Sequence, residues 1–202
     1  MRRVVPIYLV VNTSRSMAGR LVEIEHVLAA FADELLYSPI LGDRVRVCVV
    51  AFADSARCVL PLSDLTEIVE FPKLVPGRET LFTPLFILLT RLTDADASAH
   101  MASGVVYDRP LVLLVTDGVP ADPGWQRAFD RFYRHGHPRI VLITIGVGEP
   151  QTREMGAAMR VSSMQMLGDA PDQPLVNQIK ATLMDHLAPL VTSRRIIRSV
   201  DE

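Results

Sequence analysis

Four stretches of the chain are near-continuous apolar runs: Val4–Val11, Val45–Phe52, Pro110–Thr116 and Ile140–Val147. A strand with one wet face alternates apolar and polar residues. Runs without alternation belong to strands covered on both faces, as in a parallel sheet flanked by helices. A fifth, weaker strand is expected at Ser163–Leu167. Arg57–Leu62 follows the second run after four residues, which is room for a hairpin but not for a helical crossover. It is therefore expected as an antiparallel edge strand.

Between these runs the apolar period changes. Leu21, Ile24, Val27, Leu28, Phe31 and Leu35 fall on one face of a helix running from about Ala18 to Tyr37. Leu85–Leu92 and Trp125–Phe132 predict two more helices, and Thr152–Met159 a short one. Leu175, Ile179, Leu183, Leu187 and Leu190 predict a last helix packed back onto the sheet. Thr93–Asp108 is small and polar and reads as a loop. The expected fold is α/β: a doubly wound, mostly parallel six-stranded sheet with one antiparallel edge strand and helices on both faces. One domain is expected over 1–192. The tail 193–202, with Arg194, Arg195 and Arg198, is free to fray or dock.

Composition narrows the picture only a little. The chain has 202 residues, 49% of them hydrophobic, enough for one sizeable core. A net charge of −2 offers no basic footprint for nucleic acid and no strong pull toward an anionic membrane. The opening Met1–Asn12 is short, contains Pro6 and lacks a small-x-small cleavage pattern, so it reads as a strand rather than a secretion signal. No run reaches the roughly 18 apolar residues of a membrane span, and a cytoplasmic protein is expected. Cys48 and Cys58 lie in apolar runs, where free thiols pack as small hydrophobes. A disulfide between adjacent strands is the alternative to the expected reduced pair.

In an open α/β sheet, ligands gather beyond the carboxyl ends of the strands, where strand order reverses. Two such ends carry oxygen-rich clusters: Asn12-Thr13-Ser14-Arg15-Ser16 and Thr116-Asp117-Gly118. Hydroxyl and carboxylate oxygens are what hard divalent ions require. Taken alone, Ser14 could cap a helix and Asp117-Gly118 could end a strand in a turn. Asp54 reads as a cap or turn residue, and His135 and His137 as parts of a surface loop. No nucleophile elbow, phosphate-binding loop or dinucleotide fingerprint is present.

Asn12-Thr13-Ser14-Arg15-Ser16-Met17-Ala18-Gly19, Cys48–Ala56 and Leu114–Pro120 (LVTDGVP), in this order, resemble von Willebrand factor type A (VWA) domains over roughly Val4 to Leu190. The start MRR-x-x-P-x-Y-L-V and the PLSDL stretch are similar to the small, stand-alone bacterial type associated with tellurite resistance (TerY-like). The resemblance implies a metal-ion-dependent adhesion site built from Asn12, Ser14, Ser16, Thr80 and Asp117, holding Mg²⁺ or Mn²⁺. Thr83 is the alternative to Thr80, if Thr-Pro-Leu rather than Arg-Glu-Thr anchors the alignment.

Two departures stand out. Asn12 replaces the family's first Asp, and Arg78-Glu79 replace two glycines. Asp117 is then the one anionic ligand matching the motif, which weakens binding of a hard cation. Three outcomes follow: a weak site completed by a partner's carboxylate, a metal-free dock for an acidic side chain, or Glu79 supplying the missing charge. The resemblance implies a protein-interaction module rather than an enzyme. Its partner would be another protein, encoded in the same operon of a stress-response system. A degenerate scaffold that binds through helix faces or the Arg-rich tail, and a metal-assisted phosphohydrolase, are the other readings.

Overall fold

The computed structural model describes residues 3–37, 43–168 and 174–192. Strand β1 (Arg3–Asn12) leads through a 3₁₀ segment (Arg15–Arg20) into helix α1 (Leu21–Tyr37). The hairpin β2 (Val45–Phe52) and β3 (Ala56–Asp64) follows, then a 3₁₀ turn (Leu65–Glu67) and helix α2 (Phe82–Ala102). The remaining elements are β4 (Val106–Tyr107), β5 (Leu111–Thr116), α3 (Trp125–Gly136), β6 (Arg139–Ile145), α4 (Glu149–Ala158), β7 (Ser163–Leu167) and α5 (Leu175–Thr192). The tail 193–202, for which docking or fraying was expected, lies outside the described residues.

The main sheet runs β3-β2-β1-β5-β6-β7, and β4 pairs with the start of β1. Every neighbouring pair is parallel except β2 with β3. This is the expected doubly wound sheet with its antiparallel edge. A seventh, two-residue strand is added inside the segment expected to be a loop.

The continuous apolar runs divide by parity, because successive side chains of a strand point to opposite faces. Ile7, Leu9 and Val11 join Leu21, Ile24, Phe31 and Leu35 of α1, and Ile179 and Leu183 of α5, in one core. Tyr8 and Val10 face the other way, onto α2, α3 and α4. That second core is largely aromatic. Phe86 lies 5.1 Å from Phe129 and 5.8 Å from both Phe82 and Phe132, ring centre to ring centre.

The expected loop at Thr93–Asp108 is mostly helix. The stretch lacks an apolar period, yet Ala95, Ala97, Ala99 and Ala102 favour helix strongly. Its polar side chains bond to the helix's own carbonyls: Thr93 Oγ1 donates to Leu89 O at 2.9 Å and Ser98 Oγ to Asp94 O at 2.8 Å. Asp96 ties the helix to the sheet by accepting the Tyr8 hydroxyl at 2.6 Å. The turn that ends it uses Gly104 at φ +70°, a conformation that favours glycine. His135 likewise belongs to the last turn of α3 rather than to a loop.

Phe86 is 1% exposed and packs against four other rings, Phe82, Trp125, Phe129 and Phe132. Phe86→Ala should cost about 3–5 kcal/mol of stability, read as a lowered urea midpoint with little change in slope.

Candidate functional site

Strand order reverses between β1 and β5: the chain moves from β1 toward β2 on one side and from β5 toward β6 and β7 on the other. The loops leaving β1 and β5 therefore diverge, opening a crevice at their carboxyl ends. Parity places Asn12 on the same face as Tyr8 and Val10, and Thr116 on that of Val112 and Leu114. The register pairs Val11 with Val115, so Asn12 and Thr116 lie side by side.

Asn12 is fully buried and is the hub of the crevice. Its Oδ1 accepts the Ser14 N–H at 2.8 Å, bending the chain out of the strand. Its Nδ2 faces Thr116 Oγ1 at 3.0 Å, Thr80 Oγ1 at 3.2 Å and Asp117 Oδ1 at 3.3 Å. Ser14 Oγ and Ser16 Oγ are 3.1 Å apart. All five residues expected from the sequence are thus drawn into one connected cluster. Ser14 is buried, Thr80 and Asp117 are half-buried, and Ser16 opens to solvent. Thr83 is elsewhere: it lies in the first turn of α2, and its N–H donates to Asp122 Oδ2 at 2.7 Å.

Three residues that sequence reasoning passed over or undervalued position these groups. Asp122, on the loop after β5, accepts the N–H groups of Phe82 and Thr83, so it caps α2 from another segment and sets Thr80 just ahead of it. Burial alone would raise the Asp122 carboxyl. The Thr83 hydroxyl and these two N–H groups outweigh it and hold the carboxyl below the ordinary range. Asp54, at the tip of the β2–β3 hairpin, accepts from Arg78 N at 2.5 Å and Glu79 N at 3.4 Å. The Arg78 N–H leads the effects that hold the Asp54 carboxyl below its ordinary value. Thr116, third, bridges Asn12 to its own loop by donating to Gly118 O at 2.9 Å.

Two glycines allow the close approach. A Cβ on Gly118 would sit 3.3 Å from Thr80 Oγ1, and one on Gly77 would fall on the Ala53 side chain. Further bonds stitch the loops together: Thr13 N to Phe52 O at 2.7 Å, Gly77 N to Thr13 O at 2.7 Å, Leu81 N to Ala53 O at 3.0 Å and Ala121 N to Thr80 O at 2.9 Å. Arg15 N donates to Arg78 O at 3.3 Å, bringing two exposed arginines onto one rim.

As it stands, this donor set does not fit a hard divalent cation. The hydroxyls are in place, but Asp117 is the cluster's one carboxylate, and one of its oxygens faces the Asn12 amide rather than open space. The oxygen of Asn12 is already taken by Ser14 N–H, so its N–H dipoles point at the acceptors a cation would need. Among the described residues no group of three or more His, Cys, Asp or Glu side chains comes together as a metal site. Glu79 is exposed, and its backbone N–H donates to Asp54 Oδ1 at 3.4 Å.

No protein-family model and no curated protein sequence matches the chain. Solved structures do. The SpRpn10 VWA domain aligns with a TM-score of 0.59 at 11% identity, over 87% of this chain and 93% of that one. BatB from Bacteroides thetaiotaomicron aligns with a TM-score of 0.63 at 16% identity, over 92% and 98%. Proximal thread matrix protein 1 of the mussel byssus, solved with a zinc-occupied MIDAS motif, aligns with a TM-score of 0.61 at 16% identity. That match covers 94% of this chain, which spans about half of the longer protein (47%). The fold is that of VWA domains.

Asp122→Asn tests the cap. A carboxyl held below its ordinary pKa contributes stability above that value and loses it as pH falls through the folded one. The variant should be less stable by about 1 kcal/mol at neutral pH. The gap to wild type should close in acid, as read by urea unfolding across pH.

Proposed function

We propose that this chain is a protein-interaction module that docks a partner at the crevice between β1 and β5, and that it does so without a cation. The observation that carries this reading is the Asn12 carboxamide, buried and bonded on both sides, which assembles the crevice from within. In a metal-bound site, a cation supplies the positive charge that attracts a partner's carboxylate. Here Arg15 and Arg78 flank the opening, and the exposed Ser16 hydroxyl offers a donor beside them. An acidic side chain of a partner protein suits that set.

The sequence resemblance to the stand-alone tellurite-resistance type supports a cytoplasmic role in a stress-response system, with a partner encoded alongside it. Among the described residues no helix is long and apolar enough to cross a membrane. No reaction is proposed. Asp117 lies in the crevice, but its carboxylate accepts from the Asn12 amide rather than facing a nucleophile to be activated.

A second reading keeps Mg²⁺ or Mn²⁺, with Ser14, Ser16, Thr80 and Asp117 as ligands. Its support is the surviving hydroxyl set, with Ser14 and Ser16 in contact at 3.1 Å. Thermal unfolding in EDTA, Mg²⁺ and Mn²⁺ separates the two. The wild-type midpoint should not move with metal. Asn12→Asp should be destabilised in EDTA, because two carboxylates would then face each other at the Asn12–Asp117 contact. It should recover with metal, by about 2.7 kcal/mol at 100 times its Kd. A wild-type midpoint that rises with metal, and does not in Asp117→Ala, would restore the cation.

Docking itself can be read from a displayed random-peptide library panned in EDTA. Wild type should enrich peptides bearing Asp or Glu, and Arg15→Glu combined with Ser16→Ala should lose them. Enrichment indifferent to acidic residues, or unchanged in the double variant, would place the docking surface elsewhere.

A further inference from the structure

Two thiols that the crevice does not use face each other across the β2–β3 hairpin. Cys48 Sγ and Cys58 Sγ are 3.8 Å apart, and both cysteines are free. Their environments differ. Cys48 is fully buried in the aromatic core, whereas Cys58 is half-buried on the edge strand. The pairing of β2 with β3 shifts register at Val47/Val49 and again at Val49/Val50, and Cys48 has no register partner on β3. Cys58 pairs with Val50, so the two sulfurs meet diagonally beside the register shift rather than across a regular pair.

We propose that Cys48 and Cys58 form a reversible dithiol–disulfide site for hydroperoxides, in which Cys58 meets the oxidant and Cys48 resolves it. The Cys58 thiolate attacks the outer peroxide oxygen. The O–O bond breaks, the alcohol or water leaves with a proton from solvent, and Cys58 becomes a sulfenic acid. The Cys48 sulfur then attacks the Cys58 sulfur, the S–O bond breaks, and the hydroxyl leaves with the Cys48 proton as water. In sum, two thiols give up two electrons to one peroxide, and any small dithiol reverses the bond by exchange.

The asymmetry of the pair supports this order. Contact with Cys48 draws the Cys58 thiol below its ordinary value against the effect of burial, while the same contact and burial push Cys48 up. The more accessible sulfur is thus the one an oxidant meets first.

The bond would bear on the crevice through the hairpin. β2 ends at Phe52, whose carbonyl accepts Thr13 N–H, and the tip beyond it holds Leu81 through Ala53 and Arg78 through Asp54. A cross-link between β2 and β3 ties the arm on which the Thr80 loop leans. The chemistry of the pair does not depend on what the crevice binds.

The test is to treat the folded protein with hydrogen peroxide and map peptides without reduction. Wild type should lose two hydrogens, yield a Cys48–Cys58 cross-linked peptide, regain both thiols with dithiothreitol, and unfold at a higher temperature when oxidised. Cys48→Ser should stop at a Cys58 sulfenic acid that dimedone traps, and Cys58→Ser should resist peroxide. Both wild-type thiols remaining open to alkylation after unfolding, or a dimedone adduct that persists in wild type, would overturn the proposal. The wild-type map decides even where a serine variant folds poorly.

Discussion

Strand β1 is hydrogen-bonded along both edges, to β2 and to β5, and covered on both faces by separate cores. Everything else is arranged around that constraint. A strand with no wet face must be apolar until it leaves the sheet, so its first polar side chain marks its exit. Beyond the buried run Val4–Val11 that side chain is Asn12, and it emerges between the two loops that diverge from the reversal of strand order. The crevice is thus a consequence of topology, and the polar cluster is what a buried exit needs to satisfy its own backbone.

At that exit a carboxylate and a carboxamide solve different problems. Two carboxylates facing each other in a half-buried crevice need a cation or a shared proton to coexist. One carboxylate and one amide do not. The Asn12 amide donates where a paired charge would repel, and accepts the Ser14 N–H that turns the loop. Without a second charge the Asn12 amide ties the crevice loops together, and the neighbouring positive charges, Arg15 and Arg78, stand exposed on the rim.

The loops that complete the crevice are held by carboxylates remote in sequence. Asp122 caps α2 from 40 residues away, and Asp54 clamps the Arg78 loop from 24. Both act on backbone N–H groups, so they fix position without filling the opening. The hairpin whose tip carries Asp54 also carries the two thiols, Cys48 on β2 and Cys58 on β3.

The sequence by itself determined the α/β class, the parallel strands, the antiparallel edge and the amphipathic helices. These follow from which neighbours share a face, and periodicity records that directly. It also placed Asn12, Ser14, Ser16 and Asp117 at strand ends, where an open sheet gathers its polar groups. The tertiary structure alone decided the rest. The alanine-rich second half of α2 carried no apolar period to read, and a two-residue strand such as β4 carries no pattern at all. In the sequence, Thr80 is favoured over Thr83 only by the choice of alignment anchor. Their difference lies in partners, Asn12 for one and Asp122 for the other, across 68 and 39 residues. Local periodicity is written in adjacent residues, whereas a contact across the sheet exists only once register has brought its two ends together.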